Sequence, residues 1–330
     1  MKKYQKIHIW EFPLTRTFIE LPSEFRTKMF RTVVTQTGSE RKFLDYLNVK
    51  SERYAIRRNH SRRNLYSWIR GTKFDRGTAK KIGVPLWVLI ECAKMISKDK
   101  ALGNPVMRQI ERNILSYRSW GNSTPITKPK LPLLLTPELV SVIFHFMGDG
   151  HIGGGGVSSS YRQMNKGGLN NFLTKLRNSF GNFTYSKREF ADGRLNVPNI
   201  VTEFYKKYFA LPNTDTFTAY IPEHIMQLDR ECLLAGLASF IIDEGHVWEV
   251  ITIYSKNRAL LEGVRDIGIK CGYLCHPIRE KYAYGKFDCY RFSISSKSYR
   301  SLIRDLKRLA RRFPTCDLAH KMERLIRQIE

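Results

Sequence analysis

Two apolar runs in the chain break on an acidic residue followed by the same short signature. One is Ser141-Val-Ile-Phe-His-Phe-Met-Gly-Asp-Gly-His-Ile152; the other is Ala235-Gly-Leu-Ala-Ser-Phe-Ile-Ile-Asp-Glu-Gly-His-Val247. Each is long enough for a helix, ends in Asp149 or Glu244, and continues through Gly, His and a β-branched residue. Thr136 before Pro137 and Glu138 predicts an N-cap, a proline at the first helical position and an acidic first turn, with the helix running from Leu139 to Asp149. Asp229 predicts the equivalent cap for a helix through Leu233, Leu234 and Leu237 to Glu244. Gly150 and Gly245 are expected to take the left-handed turn that closes a helix.

The segments downstream of the two runs are also alike. A strand is expected over residues 157–163 in the first copy and 250–254 in the second. An amphipathic helix comes next, over 165–181 and 256–272, each ending in glycine. Further strands are expected over 183–190, 274–282 and 290–295, and closing helices over 200–209 and 298–311. Asp149 and Glu244 are 95 positions apart, whereas Leu169 and Leu260, like Gly181 and Gly272, are 91 apart. The difference of four equals the glycine run 153–156, which the second copy lacks. One loop insertion reconciles the register, so the pattern predicts two αββαββα units of an α/β (α+β) class, related by a pseudo-twofold axis.

Upstream the pattern is helical. Ser39 caps a predicted helix with Phe43, Leu44 and Leu47 inward. Ser61 caps another with Leu65, Trp68 and Ile69 on one face and Gly71 at its end. A third carries Leu86, Trp87, Leu89, Ile90, Ala93, Met95 and Ile96. A basic stretch including Arg53, Arg57, Arg58, Arg62 and Arg63 runs between and into them. The arrangement resembles a helix-turn-helix, which would put Arg62, Arg63, Asn64 and Ser67 toward a DNA groove. Residues 1–120 are thus expected to form a small all-helical domain, 121–133 a Pro-rich linker, and 134–228 and 229–330 the two repeats.

Charge changes the picture more than composition does. The chain of 330 residues has a formal net charge of +26 and 42% hydrophobic residues. Residues 1–131 hold 28 Lys and Arg against 10 Asp and Glu, and residues 132–330 hold 28 against 20. The excess is therefore concentrated upstream of the repeats and favours a polyanionic partner, nucleic acid foremost. No apolar run reaches the roughly 18 residues of a membrane span, and a cytoplasmic, nucleoid-associated protein is expected. The six cysteines form no CxxC pair, and Cys271, Cys275 and His276 lack a fourth zinc ligand, so reduced thiols are expected.

The two acid-ended runs, in register with their downstream elements, resemble the paired motifs of the LAGLIDADG homing endonuclease family, single-chain type; the preceding domain is similar to that of archaeal members. The resemblance covers roughly residues 132–330. It implies that the motif helices pack side by side and that Asp149 and Glu244 meet above double-stranded DNA, binding Mg²⁺ (or Mn²⁺) with the flanking Gly148 and Asp243. Lys256 and Gln163 would support catalysis. The strands would form a saddle, with Ser159, Tyr161, Lys187, Arg188, Arg194, Arg279, Lys281 and Tyr284 facing DNA. The implied activity is metal-dependent hydrolysis of both strands at a long asymmetric site by a monomer. The chain starts at Met and ends Arg-Gln-Ile-Glu, without the His-Asn of splicing chemistry, so a free-standing enzyme is expected rather than an intein. A DNA-binding regulator that no longer cuts and an RNA maturase are the competing readings.

One departure bears on the site. Family members carry small residues where the motif helices cross. The second copy has Ala238 and Ser239 there, but the first has Ile143 and Phe144. Phe144 is expected to pack over Ser239, large against small.

Overall fold

The computed structural model describes residues 4–56, 60–75, 78–120, 123–153, 158–211 and 218–327. Arg57, Arg58, Val157 and most of the 153–156 glycine run lie outside the described residues.

The amino-terminal region contains the three expected helices, α2 (Glu40–Arg53), α3 (Arg62–Arg70) and α4 (Leu86–Ser97), and two that the sequence pattern did not predict, α1 (Ser23–Thr37) and α5 (Pro105–Arg112). Ser39 caps α2 by accepting the Lys42 amide. Asn64 Oδ1 closes the start of α3 by accepting from both the amide and the hydroxyl of Ser61. Gly71, at φ +71°, ends that helix in the left-handed conformation. Leu65 and Trp68 face inward, with Trp68 near-parallel to Phe30 at 6.5 Å.

This region is not all-helical, however. Strands β2 (Phe18–Glu20), β5 (Val84–Pro85), β6 (Ser116–Arg118) and β7 (Ile126–Thr127) form a four-stranded sheet, and β3 (Thr72–Asp75) pairs with β4 (Thr78–Lys81). Strands of two to four residues are too short for a period-2 pattern to declare itself. They form because distant segments supply their partners.

The Pro-rich connector is built into the fold at both ends. β7 pairs with β6 and bridges Thr127 to Asn182. β8 (Leu133–Leu134) pairs with β1 (Lys6–Ile7). Phe12 then packs against Tyr117 and Phe204, and Lys207 donates to the Phe12 carbonyl. The hydrophobic core accordingly runs unbroken from the first elements to the last.

The first acid-ended run forms α6 (Pro137–Met147), capped by Thr136, and leads into β9 (Gly150–His151) and β10 (Ser160–Arg162). Then come α7 (Lys166–Phe180), α8 (Lys187–Ala191), β11 (Arg194–Asn196) and α9 (Asn199–Tyr208). The strand expected over 183–190 is largely replaced by α8, because Ser186 accepts the Glu189 amide and nucleates a turn. After α10 (Glu223–Met226), the second run forms α11 (Arg230–Glu244), capped by Asp229, and β12 (Gly245–Val247). It continues through β13 (Ile251–Ser255), α12 (Arg258–Lys270), β14 (Arg279–Ala283), β15 (Lys286–Ile294), α13 (Tyr299–Ala310) and α14 (Met322–Arg327). The antiparallel sheets run β11-β10-β9 and β12-β13-β15-β14.

The glycines after the two acids do not take the left-handed turn. Neither Gly150 nor Gly245 has positive φ, and Gly245 sits at φ −89°, ψ 138°. They are needed for a different reason. A Cβ on Gly150 would lie 2.4 Å from the Phe146 Cα, and one on Gly245 2.5 Å from the Ile241 carbonyl oxygen. Each strand starts folded back against the last turn of its own helix, a path that a side chain would block.

Candidate active site at the ends of two paired helices

Helices α6 and α11 make the most extensive helix–helix contact in the described structure, and their carboxyl-terminal ends come together. Phe144 is accommodated, but chiefly by Gly236, one turn before Ser239. A Cβ at Gly236 would stand 2.3–2.7 Å from the Phe144 ring. Ser239 accepts a hydrogen bond from Lys175 and donates to the Ala235 carbonyl. Closer to the acids, a Cβ on Gly148 would lie 2.8 Å from the Asp243 Cβ. The helices thus interlock through a large-to-small exchange at each of two levels.

Three carboxylates gather at the shared end. Asp149 is pushed up to about 7 by burial, then by the charge of Asp243, with Lys321 opposing. Glu244 is also pushed up to about 7, by burial first and then by Asp149 and Asp243. These effects place Asp149 and Glu244 in each other's field, where like charge disfavours joint ionisation. Two helix carboxyl termini add negative potential of their own.

Asp243 differs from its two neighbours. Its side chain is fully buried, and burial likewise raises its pKa to about 7. It accepts from Tyr161 Oη at 2.6 Å and pairs with His145 Nδ1 at 2.9 Å. His145 Nε2 lies 2.9 Å from the ammonium of Lys175, itself fully buried. A lysine ammonium can only donate, so Nε2 accepts and Nδ1 carries the proton that is given to Asp243. Burial and the Lys175 charge both hold His145 well below its ordinary pKa, which keeps the imidazole neutral. The Asp243 carboxylate therefore points into the seam, with His145 and Tyr161 on its oxygens.

Lys321 is a cation shared by all three acids. Its Nζ donates to the carbonyls of Ile241, Ile242 and Gly245 at 2.5–2.9 Å, closing the carboxyl terminus of α11. Its charge acts on Asp243, Asp149 and Glu244. Lys256 instead stands exposed beyond β13, and its charge acts on Asp288. Gln163 is at the site: its Nε2 donates to Asp149 Oδ2 at 3.2 Å. Asp149 and Gln163 also line a cleft of about 560 Å³ with Arg162 and Arg194, which face each other across β10 and β11.

Other expected positions separate. Tyr161 is fully buried against Phe172, and Ser159 is buried with its hydroxyl donating to Thr202, so neither faces solvent. Lys187 and Arg188 are exposed, on α8 rather than a strand. Arg279 is exposed on β14, Lys281 pairs with Asp288 at 3.1 Å, and Tyr284 is fully exposed at the hairpin tip. On α3, Arg62, Arg63 and Asn64 are exposed and Ser67 is half-buried. The open face of the second sheet also carries residues that the sequence did not single out: Tyr254 opposite Arg291, and Arg291 opposite Arg279.

No family model matches the chain, and no curated protein matches it in sequence. Solved structures of the homing endonuclease I-DmoI align with about half of it. Mesophilic variants of I-DmoI are 16% identical, with 51% of this chain and 94% of that one covered, at a TM-score of 0.36. I-DmoI in complex with DNA and Mn is 18% identical, covering 51% and 95% at 0.34. A variant in complex with its target DNA in the presence of Mn is 17% identical, covering 51% and 92% at 0.35.

The donor set can be tested against a metal. Among the described residues no group of three or more His, Cys, Asp or Glu side chains is arranged to hold an ion. That argues against a closed zinc-type site. Two partly exposed carboxylates, one of whose charge raises the pKa of the other, suit Mg²⁺, which keeps several of its waters and needs only one or two carboxylates. All six cysteines are free thiols.

Proposed function

We propose that the protein is a site-specific, divalent-metal-dependent endonuclease acting on double-stranded DNA, with Asp149 and Glu244 as the catalytic carboxylates. The observation that carries this reading is the delivery of both acids, from the ends of two separate helices, to one place where the charge of Asp149 acts on Glu244. Both would hold Mg²⁺ or Mn²⁺, which when bound supplies an activated water and charge for the leaving oxygen. Gln163 orients the Asp149 carboxylate through its amide. Lys321 holds the end of α11 and offsets part of the carboxylate charge. Arg162 and Arg194 stand beside Asp149, where a phosphate backbone would need cations.

The DNA-contacting surface in this reading has two parts. One is the open face of the second sheet with Arg279, Lys281 and Arg291; the other is the exposed face of α3 with Arg62, Arg63 and Asn64. Lys187 and Arg188 would touch the half under the first unit. The sequence resemblance to the LAGLIDADG family supports the same assignment.

The test is selection of cleavable sites from a randomised duplex library, with Mg²⁺ or with EDTA. Linear products should appear only with Mg²⁺ and vanish in Asp149→Asn and Glu244→Gln. Tight sequence-specific binding without cutting would replace the enzyme by a regulator. Intron splicing that persists with both acids neutralised would favour a maturase.

A further inference from the structure

Asp243 is the least expected residue of the site. It is a carboxylate buried in a helix seam, directly before a catalytic acid, at the position where the partner helix carries Gly148. Burying a charge is costly unless it is fully paired, and a well-packed apolar residue is often the more stable choice. The pairing is nevertheless complete. Tyr161 donates at 2.6 Å, His145 at 2.9 Å, and Lys175 holds His145 from behind while anchored on Ser239. Asp243 also abuts the backbone just before Asp149: a Cβ on Gly148 would fall 2.9 Å from its Oδ2. The Asp149 amide adds a favourable backbone contact to the same carboxylate. Finally, β10 carries Tyr161 to Asp243, and Gln163 just beyond it reaches Asp149.

Resting on the nuclease reading above, we propose that Asp243 is a positioning residue: locked by Tyr161, His145 and Lys175, it fixes the turn that presents Asp149. With its side chain fully buried, it touches neither substrate nor metal-bound water, so its positioning effect passes through the turn that carries Asp149. This arrangement makes the first acid depend on a side chain of the second helix.

The experiment uses the full chain, Mn²⁺ as the metal probe, and a duplex carrying a site found by the selection above. Tyr161→Phe removes one hydrogen bond without changing volume. Asp243→Asn keeps an oxygen acceptor but loses the charge, and Asp243→Ala loses both. Misplacing a reacting group by 1 Å can cost about 100-fold in rate. Single-turnover cleavage should fall about tenfold in Tyr161→Phe and about 100-fold in Asp243→Asn, and further in Asp243→Ala. DNA affinity should stay unchanged, while Mn²⁺ affinity by calorimetry falls in all three. Gly236→Ala, which disturbs the seam away from the acids, is the control for lost stability. Wild-type cleavage and Mn²⁺ affinity in Tyr161→Phe and Asp243→Asn would overturn the proposal. So would a rate loss matched by Gly236→Ala at equal loss of stability. Wild-type cleavage by Asp149→Asn would instead show that the nuclease reading itself had failed.

Discussion

The two acid-ended units share a plan and differ in their surroundings. Both end a capped apolar helix in an acid, and both need a glycine where the following strand folds back on that helix. Both then place an Asn-capped helix after the next strand, through Asn165 and Asn257. Around this common frame the units diverge. The first has strands of two or three residues and a short helix where the second has a hairpin of five and nine residues. The acid of the first unit is held from the neighbouring helix and β10, whereas the end of the second helix is closed by Lys321. Geometry at the helix ends tolerates little variation, because two backbones and two carboxylates must share one place. The outer strands face no such constraint.

The largest effects should come from testing whether the acids are equivalent. Asp149→Asn and Glu244→Gln should each lower single-turnover cleavage on the order of 10³-fold, the scale of losing a group that stabilises transition-state charge. A large loss in one alone would break the symmetry between the units.

The seam comes next. Phe144→Ala should cost about 3–5 kcal/mol by leaving a cavity, and Gly236→Ala about 1–3 kcal/mol by overpacking against the ring. In the Phe144→Ala background, Gly236→Ala should become nearly neutral, since the two share one space. Chemical denaturation of the four proteins measures this coupling, and additive losses would refute the large-to-small fit.

The pH dependence is a smaller effect. Asp149, Asp243 and Glu244 titrate near 7 in the folded protein, against ordinary values of 3.8 and 4.5. Between these limits these three carboxylates bind more protons in the folded state than in the unfolded one, so their contribution to stability falls as pH rises from about 4 to 7, opposed in part by His145, whose folded pKa is lowered. Thermal unfolding in EDTA should therefore show a lower Tm at pH 8 than at pH 5, and Mg²⁺ should recover part of the loss at pH 8. Asp149→Asn should flatten the slope.

The smallest effects concern the DNA-facing surface. Removing Arg279 and Arg291 together should reduce the salt dependence of binding by about one for each phosphate that is no longer neutralised. Lys187→Ala with Arg188→Ala should do less if the second unit's longer sheet carries more of the DNA. Fluorescence anisotropy across a salt series distinguishes them.

Much of this frame was legible in the sequence because it is local. Thr136, Asp229, Ser39 and Gly71 act within one turn of their helices, and the acids announce themselves by ending apolar runs. The features that escaped depend on distant partners. A strand's alternation separates two faces without saying which is inward, so Tyr161 read as exposed. Lys321 finds its carbonyls 80 residues away from Ile241, with no local signal. Lys175 left a trace, since it interrupts the apolar face formed by Leu169, Phe172, Leu173 and Leu176. His145 and Asp243 are likewise polar breaks in apolar helices, but only their pairing across 98 residues explains them.

The position of Lys321 has a consequence for biosynthesis. Asp149 leaves the ribosome first, Glu244 much later, and the lysine that closes the second helix later still. At roughly 5–20 residues per second, about 10–30 seconds separate the first acid from that lysine. The nascent chain carries a lone acid, and then an unclosed pair, for most of that interval. The cation that closes the second helix is thus the last group of the centre to be made.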